Sequence, residues 1–364
     1  MKNERMRAGI IGLGRIGSGL DDPWFDAHLR DESWRARPCT MAGHLVDHPA
    51  VDLVAGCDLD PERRAAFGER WGISSVFADH RAMLDQAQLD IICVATRGAD
   101  RHRPTMDAIA ARPRAILLEK HLAASLSESD EIVQAATAAG IPVIVNQTFR
   151  LEPSVRRLRD AIHDGLIGDL RGMHAHVAGR LIHMGTHVFD LFHFFGGPSV
   201  DVIASVVPGS DPDDPQASGV VVLESGLHAH FDARPHSAPA ILEIYGSAGT
   251  ARIGNDANVT IEVFLPKPLG GGAAQYYPPL LASVPFPGAN AEADRIGNIR
   301  QGRNLTRLTI DEVVACALTG RDPISNAQHA LAALEVAIAA MTASDRRQAV
   351  ALPLAERARR TLAI

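Results

Sequence analysis

Apolar residues in the first 147 positions fall into short β-branched runs: RAGIIG, VDLVAGCD, LDIICVAT, RAILLE and IPVIVNQ. Between them lie stretches such as SLSESDEIVQAATAAG, where apolar positions recur every three to four residues. Runs that are apolar throughout fit strands buried on both faces, and the spacers fit amphipathic helices. The pattern predicts a doubly wound α/β domain on a parallel sheet over residues 1–147. After NQTFRLEP the pattern changes. A helix, SVRRLRDAIHDG, leads to a strand over 170–178, a helix bearing His183 and His187, and then the segments VDVIASVV, ASGVVVLES, GLHAHFDA, AILEIYGS and NVTIEVF. Their hairpin-like connections, ESG and GSAGT among them, predict an open, mostly antiparallel sheet. Helices around 303–319 and 325–345 close this second α/β domain, expected to span 148–364.

Two segments fit neither pattern. Residues 18–39 are polar and irregular, yet they hold Trp24 and Trp34, two of the chain's three tryptophans. Residues 266–292 are rich in Pro and Gly and carry Tyr276 and Tyr277. Loops of this length in a compact protein are commonly functional or interfacial.

Composition narrows the classes of function. A chain of 364 residues with 46% hydrophobic and 22% charged residues fits a two-domain globular protein. The net charge is −7 and no Lys/Arg run is present, which argues against a nucleic-acid or membrane partner and leaves a small molecule. Four separated cysteines with no CxxC pair read as reduced, buried thiols. The first apolar run is too short for a signal-peptide core, and no stretch nears the roughly 20 apolar residues of a membrane span. A cytoplasmic location is expected.

The sharpest motif is GLGRIG, which places Gly12, Gly14 and Gly17, with Arg15 and Ile16 between them, at the end of the first strand. Such glycines allow a tight turn, close approach of the backbone to a pyrophosphate, and close helix packing. Asp58 ends the second strand, where a carboxylate bonds ribose hydroxyls and repels a 2′-phosphate. NAD is therefore expected, with NADP left open by Arg63 and Arg64. The usual spacing from glycines to acid is about 20 residues, whereas Asp58 stands 41 beyond Gly17. The surplus matches residues 18–39, read as an insertion between the glycine turn and the helix TMAGHLVDHP.

His183 and His187 are spaced i and i+4, so one helical face could carry both as metal ligands, as proton-transfer groups or as packing residues. His174 and His176 in MHAHV enlarge the set. The HExxH glutamate is absent, because residue 184 is methionine, and no metal is expected. Asp190 is read as structural, and His193 as a core or interface residue.

The ordered set GLGRIG, Asp58, VATRGADRH, EK, NQTFR, GLIGDLRG, GTHVFDL, YGSAGT and TGRDPISNAQHALAALEVAIAAMTAS resembles the glucose-fructose oxidoreductase, inositol dehydrogenase and MocA family along essentially the whole chain. The resemblance implies a Rossmann domain for NAD(P), a second domain whose sheet forms a homodimer or homotetramer interface, and an active site between the domains. It implies hydride transfer between nicotinamide and a secondary alcohol or ketone of a sugar, cyclitol or related polyol. Lys120 matches the family's catalytic lysine, and strand ends beside the switch point of such a sheet are where ligands bind. Glu119 would contact the nicotinamide ribose, and Thr96, His102 and Asn146 would sit on the cofactor side. His187 matches the active-site histidine. His183 replaces an aspartate common in the family, so a less acidic site is expected, with Lys120 carrying more of the proton chemistry. His121 stands where the family usually has proline. A cis bond there is not assumed, since a non-proline cis bond costs about 2.5 to 4 kcal/mol. Alternatives are the family's NAD-dependent glycosidases and a non-catalytic dinucleotide-sensing regulator.

Overall fold

The computed structural model describes residues 5–22, 37–177, 179–234, 240–255, 259–266, 281–284, 305–355 and 362. Trp24, Trp34, Tyr276 and Tyr277 lie outside them. The apolar runs of the N-terminal half become β1 (Met6–Ile11), β2 (Val51–Cys57), a short β3 (Val76–Phe77), β4 (Ile91–Val94), β5 (Ala115–Leu118) and β6 (Val143–Val145). They form a sheet of order β3-β2-β1-β4-β5-β6 in which every pairing is parallel. Strand order reverses direction between β1 and β4, which creates a crevice at their carboxyl ends.

The helices between the strands carry their own start and stop signals. α1 (Met41–Val46) is capped by Thr40, whose side chain accepts from the Gly43 N–H. α2 (Pro61–Trp71) starts with Asp60 as cap and proline in its first turn, and it ends at Gly72 with φ +68°. α3 (His80–Ala87) and α4 (His102–Ala110) follow. In α5 (Leu126–Ala139), Ser125 caps Glu128, whose carboxylate reaches back to the Ala124 N–H at 3.2 Å.

The chain forms two compact units. The first comprises Met1–Leu151, Gln301–Leu334 and Glu356–Ile364. α6 (Thr148–Leu151) therefore belongs with the Rossmann sheet, and so does a helix from far down the chain. This differs from the expected boundary, and the reason is packing: that C-terminal helix places Ile310, Val313, Val314, Cys316 and Ala317 in one core with Ala8, Ile10, Met41, Leu45, Ile91, Leu117 and Ile144.

In the second unit, Glu152–Arg300 with Glu335–Ala355, α7 (Pro153–His163) precedes β7 (Leu170–His176) and α8 (Gly185–Gly196). There follow β8 (Ser199–Val206), β9 (Ala217–Leu223), β10 (His228–Asp232), β11 (Ala240–Gly246), β12 (Thr250–Asn255), β13 (Val259–Pro266) and β14 (Leu281–Val284). The far helix of the first unit is α9 (Leu305–Thr319). α10 (Ala327–Arg346) and β15 (Val350–Ala351) come last. The sheet order is β14-β13-β12-β11-β7-β10-β9-β8-β15, antiparallel except for β7 with β10. α8 covers one face: Phe189 meets Phe231 of β10 edge to face at 5.1 Å. The alternate positions His174, His176, His228, His230 and Tyr245 are half-buried or exposed. Among the described residues no helix is long and apolar enough to cross a membrane.

Candidate active site

The glycine turn shows why each glycine is needed. Gly12 has φ +94°, and a Cβ there would lie 2.8 Å from the backbone of Ala95 and Thr96. A Cβ at Gly17 would collide with the Gly12 carbonyl oxygen. Among the described residues, a Cβ at Gly14 would meet only Arg63 Nη1, at 3.6 Å. No described neighbour requires the second glycine to lack a side chain, as expected of a backbone that a pyrophosphate approaches. The turn fits a dinucleotide.

After the turn the helix is interrupted and spliced. The Ser18 and Gly19 N–H groups bond the Gly14 carbonyl, and Leu20 bonds Arg15. The Ile16 carbonyl accepts from Met41 N at 2.8 Å and the Gly17 carbonyl from Ala42 N at 2.9 Å. Met41 takes the place that residue 20 would hold in an unbroken i to i+4 ladder, so the excursion adds about 21 residues. Without them Asp58 would follow Gly17 by about 20, the usual spacing. Asp21 closes the neck. Its buried carboxylate accepts from Cys39 N at 2.8 Å, Thr40 N at 3.0 Å and the Thr40 hydroxyl, and Trp71 Nε1 bonds Ser18 Oγ at 2.9 Å.

Around the turn stand the carboxyl ends of β2, β4, β5 and β6. Asp58 accepts from the Leu13 N–H at 2.7 Å and from Asp60 N at 2.9 Å, with Arg63 Nη1 at 3.7 Å. Glu119, at the end of β5, is buried; its Oε1 accepts from Asn146 Nδ2 at 2.5 Å and its Oε2 from the Lys120 N–H at 3.1 Å. Asn146 in turn accepts from Thr309 Oγ1 of α9 at 2.6 Å. Burial raises the pKa of Glu119, and the charges of Arg101 and Lys120 oppose that rise. Lys120 is half-buried. The Lys120–His121 peptide bond is cis although residue 121 is not proline. His102 opens α4 and lies 2.9 Å from Glu131 of α5, which gives it a helix-to-helix partner.

In the second unit His187 lies in the first turn of α8, but His183 precedes the helix, in the turn 181–184. The two are therefore not on one helical face as the spacing suggested. That turn is held by Asp214, a buried carboxylate that accepts from Ile182 N at 2.6 Å and His183 N at 3.2 Å. Asp214 reaches this turn from the loop before β9. Asp190 is buried within α8, and His193 Nε2 is 3.0 Å from Ser199 Oγ. His174 and His176 stack edge to face at 4.4 Å. Among the described residues no group of three or more His, Cys, Asp or Glu is arranged to hold a metal. All four cysteines are buried and none forms a disulfide among the described residues, and burial pushes Cys57, Cys93 and Cys316 up to about 12.

Residues 6–147 match the model of an oxidoreductase family with an NAD-binding Rossmann fold. D-apiose dehydrogenase of Paraburkholderia graminis is 29% identical over 69% of this chain and 73% of its own length. Inositol 2-dehydrogenase 4 of Saccharopolyspora erythraea is 26% identical over 72% and 78%. Over residues 6–147 the chain is similar to the glucose-fructose oxidoreductase, inositol dehydrogenase and MocA family. The fold agrees: the WlbA dehydrogenase of Bordetella pertussis, in complex with NADH and UDP-GlcNAcA, superposes with a TM-score of 0.75 at 18% identity, covering 97% of this chain and 99% of that one.

The matched model is that of an NAD-binding domain, and the strand ends of this sheet gather groups suited to that cofactor: a cradle at Gly14, a carboxylate at Asp58, and Glu119 with Lys120. Two residues escaped the sequence reading. Arg101 is buried and donates to the carbonyls of Thr96 and His121, and Asp214 is described above. A shallow depression of about 510 Å³ on the second sheet, lined by Arg171, His174, His228, His230 and Tyr245 among others, includes no expected site residue.

Proposed function

We propose that this protein is an NAD-dependent dehydrogenase acting on a secondary alcohol of a sugar, cyclitol or related polyol, or reducing the matching ketone. The observation that carries the reading is Lys120, half-buried at the end of β5, in the same sheet whose β1 ends in a glycine turn open to a pyrophosphate. Relatives named for D-apiose and inositol support the substrate class. NAD, when bound, supplies the hydride acceptor. Gly12, Gly14, Arg15, Ile16 and Gly17 hold the pyrophosphate, and Asp58 holds the adenosine ribose and disfavours NADP. Glu119 takes the nicotinamide ribose, with Thr96, His102 and Asn146 on the cofactor side. Lys120 Nζ would bind the reacting hydroxyl and lower its pKa, so that its proton would pass to the His187 imidazole as general base. The His187 imidazole exchanges that proton with solvent, and His183 orients the polyol. The open face of the second sheet joins copies of the chain into a homodimer or homotetramer, consistent with exposed Ile203 and Tyr245. Buried cysteines with no disulfide among the described residues fit a reducing, cytoplasmic setting.

The test is NADH formation with D-apiose, myo-inositol and a panel of related polyols. Stoichiometric NADH supports a dehydrogenase; glycoside cleavage needing only catalytic NAD, or no turnover at all, would overturn the reading. Lys120→Ala is expected to lower kcat by about 100-fold or more, and near-normal turnover would remove Lys120 from its role. His187→Asn is expected to flatten the pH profile.

A further inference from the structure

Arg101 is an expensive residue for its position. It is 2% exposed, and burial pulls its guanidinium down to about 10. Nη2 donates to the Thr96 carbonyl beyond β4, and Nη1 donates to the His121 carbonyl, one residue past Lys120. The Nε–H has no hydrogen-bond partner among the described residues. A methionine would fill such a space without the cost of removing a charge from water. The guanidinium must therefore supply something that volume cannot.

Two things are visible. The planar fork ties the chain after β4 to the chain after β5, the two strand ends that carry Thr96 and Lys120. The same charge acts on Glu119, as the largest influence opposing the effect of burial on that carboxyl. The other groups facing Glu119 are Asn146, which donates to Oε1, and Lys120, by charge and through its N–H. Thr309 adds a neutral hydroxyl behind Asn146. Hydrogen bonds from Asn146 and the Lys120 N–H favour the carboxylate, and the Arg101 charge adds the largest single influence against burial.

We propose that Arg101 is a positioning residue of the nicotinamide side of this site, fixing the Thr96 and His121 carbonyls and favouring the ionised form of Glu119. It acts through Glu119 and the Lys120 backbone. The inference rests on the dehydrogenase reading only in assigning Glu119 to the cofactor.

The test is NAD and NADH affinity of the full chain by titration calorimetry between about pH 5 and 9, with a thermal melt of each unliganded variant. Arg101→Gln removes the charge. Its affinity is expected to fall roughly tenfold at neutral pH, and the pH below which binding weakens is expected to rise by about one unit or more. Arg101→Lys, which keeps the charge and loses the fork, should restore that pH midpoint without restoring full affinity. It also serves should the glutamine variant not fold. If Arg101→Gln keeps the wild-type midpoint and only its melting temperature falls, Arg101 is a structural clamp and the proposal is overturned. If Arg101→Lys shifts the midpoint as far as glutamine does, charge is not the cause and the proposal fails. Wild-type protein that binds neither NAD nor NADH would overturn the cofactor reading first, and this inference with it.

Discussion

Gly14 and Gly17 are the same residue type under opposite demands. Gly17→Ala drives a methyl into the Gly12 carbonyl, with no flexible side chain to yield. It is expected to cost about 3 kcal/mol or more, or to prevent folding, as read by chemical denaturation. Gly14→Ala has room. It should melt near the wild type yet bind NAD roughly tenfold more weakly, because the methyl stands where the pyrophosphate must approach. Both glycines were legible in the sequence because their roles depend on a few neighbouring residues. Glu119 and Lys120 were legible because an apolar run ended in charge. Arg101 and Asp214 were not. Each sits in a polar stretch, VATRGADRH or SDPDDPQ, that reads as a solvated turn. Their burial is decided by where a distant backbone arrives: His121 for Arg101, and Ile182 and His183 for Asp214.

At the level of elements, helix periodicity showed which face of α9 is apolar but not which sheet it would cover, and so the domain boundary drawn at 147 missed it. The segment leading into α10 shares this character. Val145 N bonds the Ser325 carbonyl and Ser325 Oγ bonds the Val145 carbonyl, which extends the edge of β6. Asn326 then caps the helix through the His329 N–H at 2.9 Å. Burial, aided by the Arg150 charge, lowers His329 to about 4. The folded state binds fewer protons there than the unfolded chain below the ordinary histidine value of 6.5. Stability is therefore complete above that value and is lost as pH falls from 6.5 toward 4. After allowance for partial exposure the loss is about 1 to 2 kcal/mol. Denaturation across that range should show the slope, and His329→Gln should reduce it. At the other spliced element, Asp21→Ala strips two N–H groups and a hydroxyl of their acceptor. It is expected to destabilise by about 2 to 3 kcal/mol.

For the whole molecule, both sheet types were legible from the contrast between continuous and alternating apolar runs. The single parallel pairing of β7 with β10 was not, since nothing local distinguishes it from its antiparallel neighbours. If the open face joins two copies, Ile203, 52% exposed on β8, should lie in the contact, and Ile203→Lys should shift the assembly toward monomer in sedimentation. Acid should act the same way. Burial, with the charges of His176 and His230, lowers His174 against the opposing Glu243 and Asp232, so its protonation, which comes only below the ordinary histidine range, charges that face. The spliced helix has a different reach. Because its cut ends are stitched together by backbone hydrogen bonds, the length of chain between them is uncoupled from the register of the sheet. The site is a natural port: a foreign domain whose termini lie side by side could be grafted between Asp22 and Arg37, placing a sensor or a tether within a turn of the nucleotide cradle.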